Sequence, residues 1–451
     1  MLSDPIVALA TPAGRSALAL IRLSGKAAFD VAARALRPFR PDPPRVVRRV
    51  RLVHPDSGEL VDDALAAAFP GPRTYTGDDL VEITTHGGLL VPAAAVAALV
   101  AAGARPAAPG EFTRRAVLNG KLDLLQAEAT ADLIDAGAPA QARRALHQLD
   151  RGLSARLELL RAELLELEAL IAYEIDFPEE DEGPVASERV ERAWRAARDR
   201  IAQLLATAPE GERLREGALV VIAGRPNAGK SSLFNALLGT ERAIVTEIPG
   251  TTRDAIEAHA VIEGFPFRLA DTAGLRDSGD RVERLGIEVS RRYLGAADLV
   301  LYCEEAGEAG SGKGEERDRF LGECRAPLVL VQTKTDLANR PTVYPPDRLG
   351  VSVVTGDGLA ELKRRLAQEA FGRLLGLGDV EPVVTRARHR MALQRALAEV
   401  EAFHGARAGG VEAAAAATHL RAAVGALDDL IGVVTPDDVL DRVFASFCVG
   451  K

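Results

Sequence analysis

Cysteine, uninterrupted apolar runs and an excess of positive charge are what this 451-residue chain has least of. Its three cysteines, Cys303, Cys324 and Cys448, lie far apart, so neither a disulfide framework nor a CxxC metal pair can be drawn from them. The longest apolar-looking stretch, from Leu157 to Ile175, is interrupted by Glu158, Arg161, Glu163, Glu166 and Glu168. A membrane span cannot hide so many charges, and the spacing predicts an amphipathic helix with one wet face. The N-terminal Met1-Leu-Ser-Asp-Pro-Ile has no basic region followed by an apolar core, so no secretory signal is expected. These absences point to the cytoplasm and away from a membrane. The formal net charge is −9, opposite in sign to that of a protein that wraps nucleic acid non-specifically, because counterion release needs Lys and Arg. Contact with RNA is then left to local patches. Arg45, Arg48, Arg49 and Arg51 form one cluster, and Arg386, Arg388, His389 and Arg390 another. A solvated strand or helix face is the plainer reading of both.

What is present is the balance of a globular protein, with 47% hydrophobic and 27% charged residues, and a length that implies two to four domains. No repeat of fixed period is found. Ile6-Val-Ala-Leu-Ala, Ala17-Leu-Ala-Leu-Ile-Arg-Leu and the alternating Asp79-Leu-Val-Glu-Ile-Thr-Thr predict strands, with a helix from about Ala27 to Leu36. From Leu122 to about Tyr173 the pattern is helical, broken near Gly137-Ala-Pro139, and an acidic stretch with Pro178 and Pro184 ends it. A further helix from about Ser187 to Ala206 leads to Pro209-Glu-Gly, read as a linker. Ala218-Leu-Val-Val-Ile-Ala is then a continuous apolar strand of the kind buried on both faces in a parallel sheet. Strand and helix signals alternate from there to about Phe371, through Phe267-Arg-Leu-Ala, Leu299-Val-Leu-Tyr and Leu328-Val-Leu-Val, and the chain is helical again after Gly376-Leu-Gly378. The fold class expected is multidomain, α/β plus α, with a doubly wound α/β domain inserted between two helical stretches.

That inserted domain carries a phosphate-binding motif. Gly224-Arg-Pro-Asn-Ala-Gly-Lys-Ser231 matches G-x-x-x-x-G-K-[ST] between a buried strand and the helix beginning Ser232-Leu-Phe-Asn. Its glycines let backbone N–H groups turn inward around phosphate oxygens, and the helix N-terminus adds partial positive charge. Asn227, Ala228, Gly229 and Ser232 complete the loop, Lys230 is expected on the β- and γ-phosphates, and the Ser231 hydroxyl on Mg2+. Asp271-Thr-Ala-Gly274 supplies a carboxylate for the Mg2+ shell and a glycine amide for the γ-phosphate, and Thr252, in Gly250-Thr-Thr, a second hydroxyl for Mg2+. Thr333-Lys334-Thr-Asp336 reads the base, because Asp336 can accept hydrogen bonds from guanine N1–H and its exocyclic amine. Adenine offers neither and would leave a buried carboxylate unpaired, so GTP is the expected substrate. Thr333 stands where Asn is usual and can replace only part of its contacts; Ser352-Val-Val-Thr355 is placed to close over the base without the usual Ala-Lys. Leu275 stands where many such enzymes have a water-orienting glutamine, which leaves Asp277, Asp280 and Glu283 as candidates for that task.

Taken together, Gly224-Arg-Pro-Asn-Ala-Gly-Lys-Ser-Ser, Gly250-Thr-Thr-Arg-Asp254 and Asp271-Thr-Ala-Gly-Leu-Arg resemble the MnmE (TrmE) family of tRNA-modifying GTPases. Pro109-Gly-Glu-Phe-Thr-Arg-Arg-Ala, Leu118-Asn-Gly-Lys-Leu-Asp-Leu-Leu-Gln-Ala-Glu128 and the terminal Phe447-Cys-Val-Gly-Lys451 extend the resemblance over essentially the whole chain. It implies an N-terminal α+β tetrahydrofolate-binding and dimerisation domain over 1–118 and a helical domain over 119–212 and 376–451. The GTPase domain is then inserted at 213–375. It further implies a homodimer that works with the FAD-dependent partner MnmG (GidA) in a heterotetramer or larger complex. That assembly would place aminomethyl or carboxymethylaminomethyl groups on C5 of the wobble uridine of certain tRNAs. A 5-formyl- or 5,10-methylene-tetrahydrofolate would supply the one-carbon unit.

Carried over by residue, the resemblance makes Asn227, Thr246, Ile248 and Thr251 ligands of K+, with Thr246 also beside the nucleotide. Glu283 becomes the water-activating glutamate, and Arg22, Glu82, Lys121 and Lys451 the folate contacts. Cys448 is placed near the folate pocket, where it takes part in chemistry or lines the cavity. The rival reading is a ribosome-assembly or translation GTPase acting as an RNA-binding switch, although no KH-type Gly-x-x-Gly context or second P-loop is visible.

Overall fold

A computed structural model describes residues 4–176, 187–239, 257–271, 293–306, 324–337, 348–378, 381–432, 440, 443–445, 447, 448 and 450. The chain divides into two compact units, Met1–Ala131 with Asp428–Lys451, and Asp132–Leu427.

In the first unit the strands are β1 (Ile6–Leu9), β2 (Leu18–Ser24), β3 (Leu36–Arg37), β4 (Arg48–Val53), β5 (Leu60–Phe69), β6 (Leu80–His86) and β7 (Arg105–Pro106). They form one sheet in the order β3-β4-β5-β6-β2-β1-β7, antiparallel except for the parallel pair β1–β7. Alternation along each strand sends Val7, Ile21, Leu23, Val50, Leu52, Val81 and Ile83 to one face. There they pack against α1 (Ala28–Ala35) and α2 (Leu90–Ala101), a core in which each large aliphatic side chain contributes about 1.5–3 kcal/mol. The opposite face carries Arg22, Arg49, Arg51, Leu65, Glu82 and Thr84 by the same alternation. After α3 (Glu111–Leu118) and the first residues of α4 (Leu124–Asp135), the C-terminal residues Leu440, Phe444 and Phe447 cover Leu124 and Ala127.

α3 is anchored by a buried ion network. Arg115 is 1% exposed and donates from Nη1 to the Asp4 carbonyl at 2.8 Å, and from Nη2 to Asp4 Oδ1 at 3.0 Å and Glu111 Oε1 at 2.9 Å. Arg105 grips the same two carboxylates from the other side. The hydrogen bond from Arg105 holds the Asp4 carboxyl below its ordinary 3.8. Burial pushes Glu111 up, but hydrogen bonds from Arg105, the Ala108 N–H and Arg115 outweigh it and leave the group below 4.5.

The second unit holds α5 (Pro139–Leu149), α6 (Gly152–Asp176), α7 (Ser187–Leu205), α8 (Ala208–Glu216), β8 (Ala218–Gly224) and α9 (Lys230–Leu238). It continues with β9 (Glu257–Ile262), β10 (Phe265–Asp271), β11 (Leu299–Glu305), β12 (Leu328–Thr333), β13 (Arg348–Gly350), α10 (Leu359–Leu377), α11 (Ala387–Ala408) and most of α12 (Ala413–Ile431). Leu153, Leu157, Leu160, Leu164, Leu167 and Ile171 recur every three or four residues on α6 and are all buried, so the expected amphipathic helix is present. No helix among the described residues is long and apolar enough to cross a membrane. Pro209-Glu-Gly is not a linker: Pro209 lies in the first turn of α8, where its missing N–H costs nothing, and Gly211 packs against the Val384 carbonyl. The basic stretch at 386–390 is not a free face either. Arg386 pairs with Asp132 at 2.6 Å, Arg390 with Glu212 at 2.8 Å, and His389 is buried.

The inserted sheet runs β13-β12-β11-β8-β10-β9, parallel except for the β9–β10 hairpin. β8 is buried on both faces: Ala218, Val220 and Ile222 enter one core, and Leu219, Val221 and Ala223 the other. That is the pattern of a central strand in a doubly wound sheet, and the expected fold class is the one found.

Arg115→Ala strips a donor from a buried carboxylate, and a loss of about 3–5 kcal/mol is expected in urea denaturation at neutral pH. Because the Asp4 and Glu111 carboxyls are depressed on folding, their contribution is present above the unfolded values of 3.8 and 4.5 and is lost as pH falls through the lower folded ones. The deficit of the variant must therefore shrink when the denaturation is repeated in strong acid.

Candidate functional site

The chain leaves β8 through Gly224, whose φ is +136° and whose absent β-carbon would stand 2.3 Å from the Cys303 carbonyl on β11. Only glycine passes there, which is why the loop must open with it. Asn227 follows with φ +61° and is exposed, with no side-chain hydrogen bond among the described residues. The Ala228 N–H donates to the Arg225 carbonyl at 3.3 Å, Gly229 adopts the left-handed region, and α9 starts at Lys230. The first N–H groups of α9 have no intrahelical acceptor and face an anion by default. Lys230, 7% exposed, donates from Nζ to the Arg225 carbonyl at 2.6 Å and so bends back along the loop. The Ser231 hydroxyl donates to Asp271 Oδ2 at 2.7 Å, which brings together a hydroxyl and a carboxylate 40 residues apart. Ser232 is exposed on the first turn.

The base-reading end is tied to this loop through Thr333. The residue is 2% exposed, and its hydroxyl lies 2.8 Å from the Ala228 carbonyl and 3.1 Å from the Glu304 carbonyl. The short side chain therefore reaches the phosphate loop itself, the contact that its departure from Asn put in question. Lys334 has φ +57° and donates from Nζ to Glu305 at 2.8 Å. Asp336, exposed in the short turn Thr335–Leu337, accepts from the Ser352 hydroxyl at 2.6 Å; Ser352 is fully buried and takes the Thr355 N–H at 3.1 Å. The segment at 352–355 thus orients the Asp336 carboxylate. Sequence reasoning missed Glu304 and Glu305. Glu304 accepts from Gln332 and Arg348, and the pairing arises from the parallel register that sets Glu304 against Gln332 and Glu305 against Thr333. Cys303, next to them, is buried beside the loop, and burial pushes its thiol up to about 12, which keeps it inert. Thr246, Ile248, Thr251, Thr252, Gly274, Leu275, Asp277, Asp280 and Glu283 lie outside the described residues.

A second constellation forms in the first unit. Arg22 on β2 and Glu82 on β6 are register partners on the open sheet face, with Nε donating to Oε1 at 3.1 Å. The Arg22 guanidinium lies 5.7 Å from the centre of the Tyr75 ring, a cation–π distance, and its Nη1 is buried with no hydrogen-bond partner among the described residues. Tyr75 was not anticipated. It sits on a loop fixed by Ser24 to Thr76 at 2.7 Å and by Asn119 to the Thr76 carbonyl, and its hydroxyl is 2.9 Å from that of Thr113. Lys121, exposed, packs its stem against Gly77 of the same loop. The C-terminal segment comes to this sheet as well: the Gly110 N–H donates to the Cys448 carbonyl, and a β-carbon on Gly450 would stand 2.5 Å from the Leu9 carbonyl. Cys448 is exposed, and Lys451 lies outside the described residues.

Thr333→Val keeps the shape of the side chain and removes from a buried site the one hydroxyl proton shared between the Ala228 and Glu304 carbonyls. Such a loss costs about 1–3 kcal/mol, so nucleotide affinity measured by fluorescent-nucleotide titration should fall by about tenfold or more. Thr333→Ser should retain it.

Comparison with known proteins places these features in one lineage. A family model described as the MnmE helical domain matches residues 124–448, and one described as the GTP-binding protein TrmE N-terminus matches 5–121. The chain is 42% identical over 474 residues to the tRNA modification GTPase MnmE of Geobacter sulfurreducens, covering 99% of each chain. It is 43% identical over 460 residues to the protein of that name from Thermus thermophilus, covering 100% of this chain and 99% of that one. Similar solved structures cover a part of the chain. Era of Aquifex aeolicus matches at 26% identity over 34% of this chain and 56% of its own, with a TM-score of 0.28. The G domain of the T. maritima FeoB iron transporter matches at 29% identity over 34% and 98%, with a TM-score of 0.26.

Proposed function

The chain belongs to the MnmE family of tRNA modification GTPases, and from that premise we propose the finer chemistry it performs. It hydrolyses GTP. As a cytoplasmic homodimer joined to the FAD-dependent MnmG (GidA), it adds an aminomethyl or carboxymethylaminomethyl group to C5 of the wobble uridine of certain tRNAs. The N-terminal, helical and inserted GTPase domains follow the bounds 1–118, 119–212 with 376–451, and 213–375.

The observation that carries the folate part is the buried, unpartnered Nη1 of Arg22 beside Glu82 and Tyr75. A pterin offers an N–H and an exocyclic amine side by side, the donor pair that suits Glu82, and a carbonyl or carboxylate that suits Arg22. Lys121 and Lys451 supply positive charge for the anionic tail. A bound tetrahydrofolate supplies the one-carbon unit; the residues here hold and orient it, and Cys448 stands near it as a catalytic or lining thiol.

At the nucleotide, Asn227, Ala228, Gly229, Lys230, Ser231 and Ser232 surround the phosphates, with Thr246 and Gly274 beside them. The Ser231 hydroxyl and the Asp271 carboxylate are hard oxygen donors already in contact, which fits Mg2+, with Thr252 as a further ligand. The amide oxygen of Asn227 is uncommitted among the described residues, which fits a monovalent cation held also by Thr246, Ile248 and Thr251. K+ there adds positive charge where the transition state gathers negative charge, a task that an arginine performs elsewhere. Thr333, Lys334, Asp336 and Ser352 read guanine, and the seated base buries the Asp336 carboxylate so that only a donor edge is tolerated. Glu283 prepares the attacking water.

Two measurements test this reading. Nucleoside analysis of tRNA from cells lacking the chain should reveal wobble uridines without the C5 group; a normal complement would favour a ribosome-associated switch. GTP turnover by the purified chain should be at least about tenfold faster in potassium than in sodium if the cation supplies transition-state charge, about 1.4 kcal/mol of barrier; equal rates remove Asn227 from that role.

A further inference from the structure

The sheet of the first unit ends in arginine. Residues 36–53 contain six arginines and one carboxylate, in a chain whose formal net charge is −9. Arg37 on β3 and Arg51 on β4 are direct register partners, and both are exposed. Like charges placed opposite one another across a ladder are destabilising. No nearby carboxylate forms an ion pair with them: Asp63, opposite Arg51 on β5, pairs with Arg49 at 2.8 Å, and Asp62 takes His86 at 2.7 Å. Arg37, Arg40, Arg45, Arg51 and Arg73 have no carboxylate partner among the described residues. Two arginines of the cluster donate to backbone carbonyls instead, Arg48 to that of Arg40 at 2.7 Å and Arg45 to that of Arg73 at 3.0 Å. In the other basic cluster of the chain, at 386–390, Arg386 pairs with Asp132 and Arg390 with Glu212. A charge on an edge strand discourages a second strand from adding, but one charge is enough for that.

We propose that this β3–β4 edge is a docking surface for the phosphate backbone of tRNA. Guanidinium groups bind phosphates through paired N–H donors, and here those of the register partners Arg37 and Arg51 are left without a carboxylate, at a cost that a polyanion removes. The position agrees with such an occupant. Arg37, Arg49 and Arg51 lie on the same open face of the sheet as Arg22 and Glu82, with β4 two strand spacings, about 10 Å, from β6. A strand of RNA held at the edge therefore runs beside the residues assigned to the folate. The proposal rests on the tRNA modification reading.

The test uses the full chain and an unmodified tRNA transcript, with binding followed by fluorescence anisotropy over a range of salt concentrations. R37Q/R51Q should bind tRNA at least about tenfold more weakly at low salt, with the slope of log affinity against log salt shallower by about 2, one for each phosphate contact removed. GTP hydrolysis, 5-formyl-tetrahydrofolate binding and thermal stability should stay at parental values or, for stability, rise. Arg195→Gln, exposed on α7, is the matched control and should leave the slope unchanged. Affinity within twofold of the parent and an unaltered slope overturn the docking surface while leaving wobble-uridine analysis to decide the modification reading. Parental chain that binds no tRNA also overturns the surface, as does equal or tighter binding to phosphatidylglycerol vesicles or polyglutamate.

Discussion

The inserted domain depends on one constraint: β8 has no exposed face. A strand buried on both sides can present function only where it ends, and it ends at Gly224, against the Cys303 carbonyl on the neighbouring strand. The chain must then turn away in a conformation open only to glycine, and the turn delivers the free N–H groups of α9 to the carboxyl edge of the sheet. Every other part of the nucleotide site is placed relative to that exit. Asp271 arrives there because β10 lies beside β8 in parallel register, and the Thr333 hydroxyl because β12 lies one strand further out. The hydrogen bond from Thr333 to the Ala228 carbonyl joins the end of β12 to the loop that leaves β8. A serine or threonine oxygen suffices for it because the two backbones already approach closely.

In the first unit the governing fact is a sheet with α1 and α2 on one face, while on the other Phe112 of α3 packs with Ile6 and Ala8 of β1 and polar side chains occupy the strands beyond. The face under α1 and α2 is aliphatic, and the other is where charge collects. Two kinds of charge collect there, and they differ in how they are balanced. Arg22 is paired with Glu82 but keeps one buried nitrogen without an acceptor, which is the mark of a site awaiting a small polar ligand. On the β3–β4 edge Arg37 and Arg51 are exposed and have no carboxylate partner among the described residues, which suits a polyanion rather than a buried small molecule. Below both, the Asp4–Arg105–Glu111–Arg115 network locks α3 to the start of the sheet and leaves nothing uncompensated but one guanidinium nitrogen of Arg115, showing that this protein neutralises charge where only stability is at stake.

Much of this was legible in residues alone. The buried strand before the loop and the loop itself are local patterns, and each appears where its spacing put it. The amphipathic helix through Leu157 and Leu164 is equally local, since a period near 3.6 belongs to the helix itself. Pro209-Glu-Gly was misread as a linker because Pro and Gly punctuate loops on average, whereas proline is also welcome in a helix's first turn and Gly211 answers a contact with Val384 some 170 residues away. No local pattern carries that contact.

Sequence by itself determined the phosphate-binding loop between a buried strand and a helix and, through the long motifs outside the GTPase domain, the family. Tertiary structure decided which side chains meet. Arg22 finds Glu82, 60 residues on, through strand pairing; Tyr75 and Lys121 reach the same loop through turns; Ser352 orients Asp336 from another element. It also decided how two basic clusters that read alike in sequence are partnered, since Arg386 and Arg390 meet Asp132 and Glu212 while Arg45 and Arg51 meet no carboxylate among the described residues. The physical reason is one of range. Propensity and periodicity act over a few residues, whereas desolvation, pairing and strand register act over a few ångströms, and folding alone converts the second distance into the first.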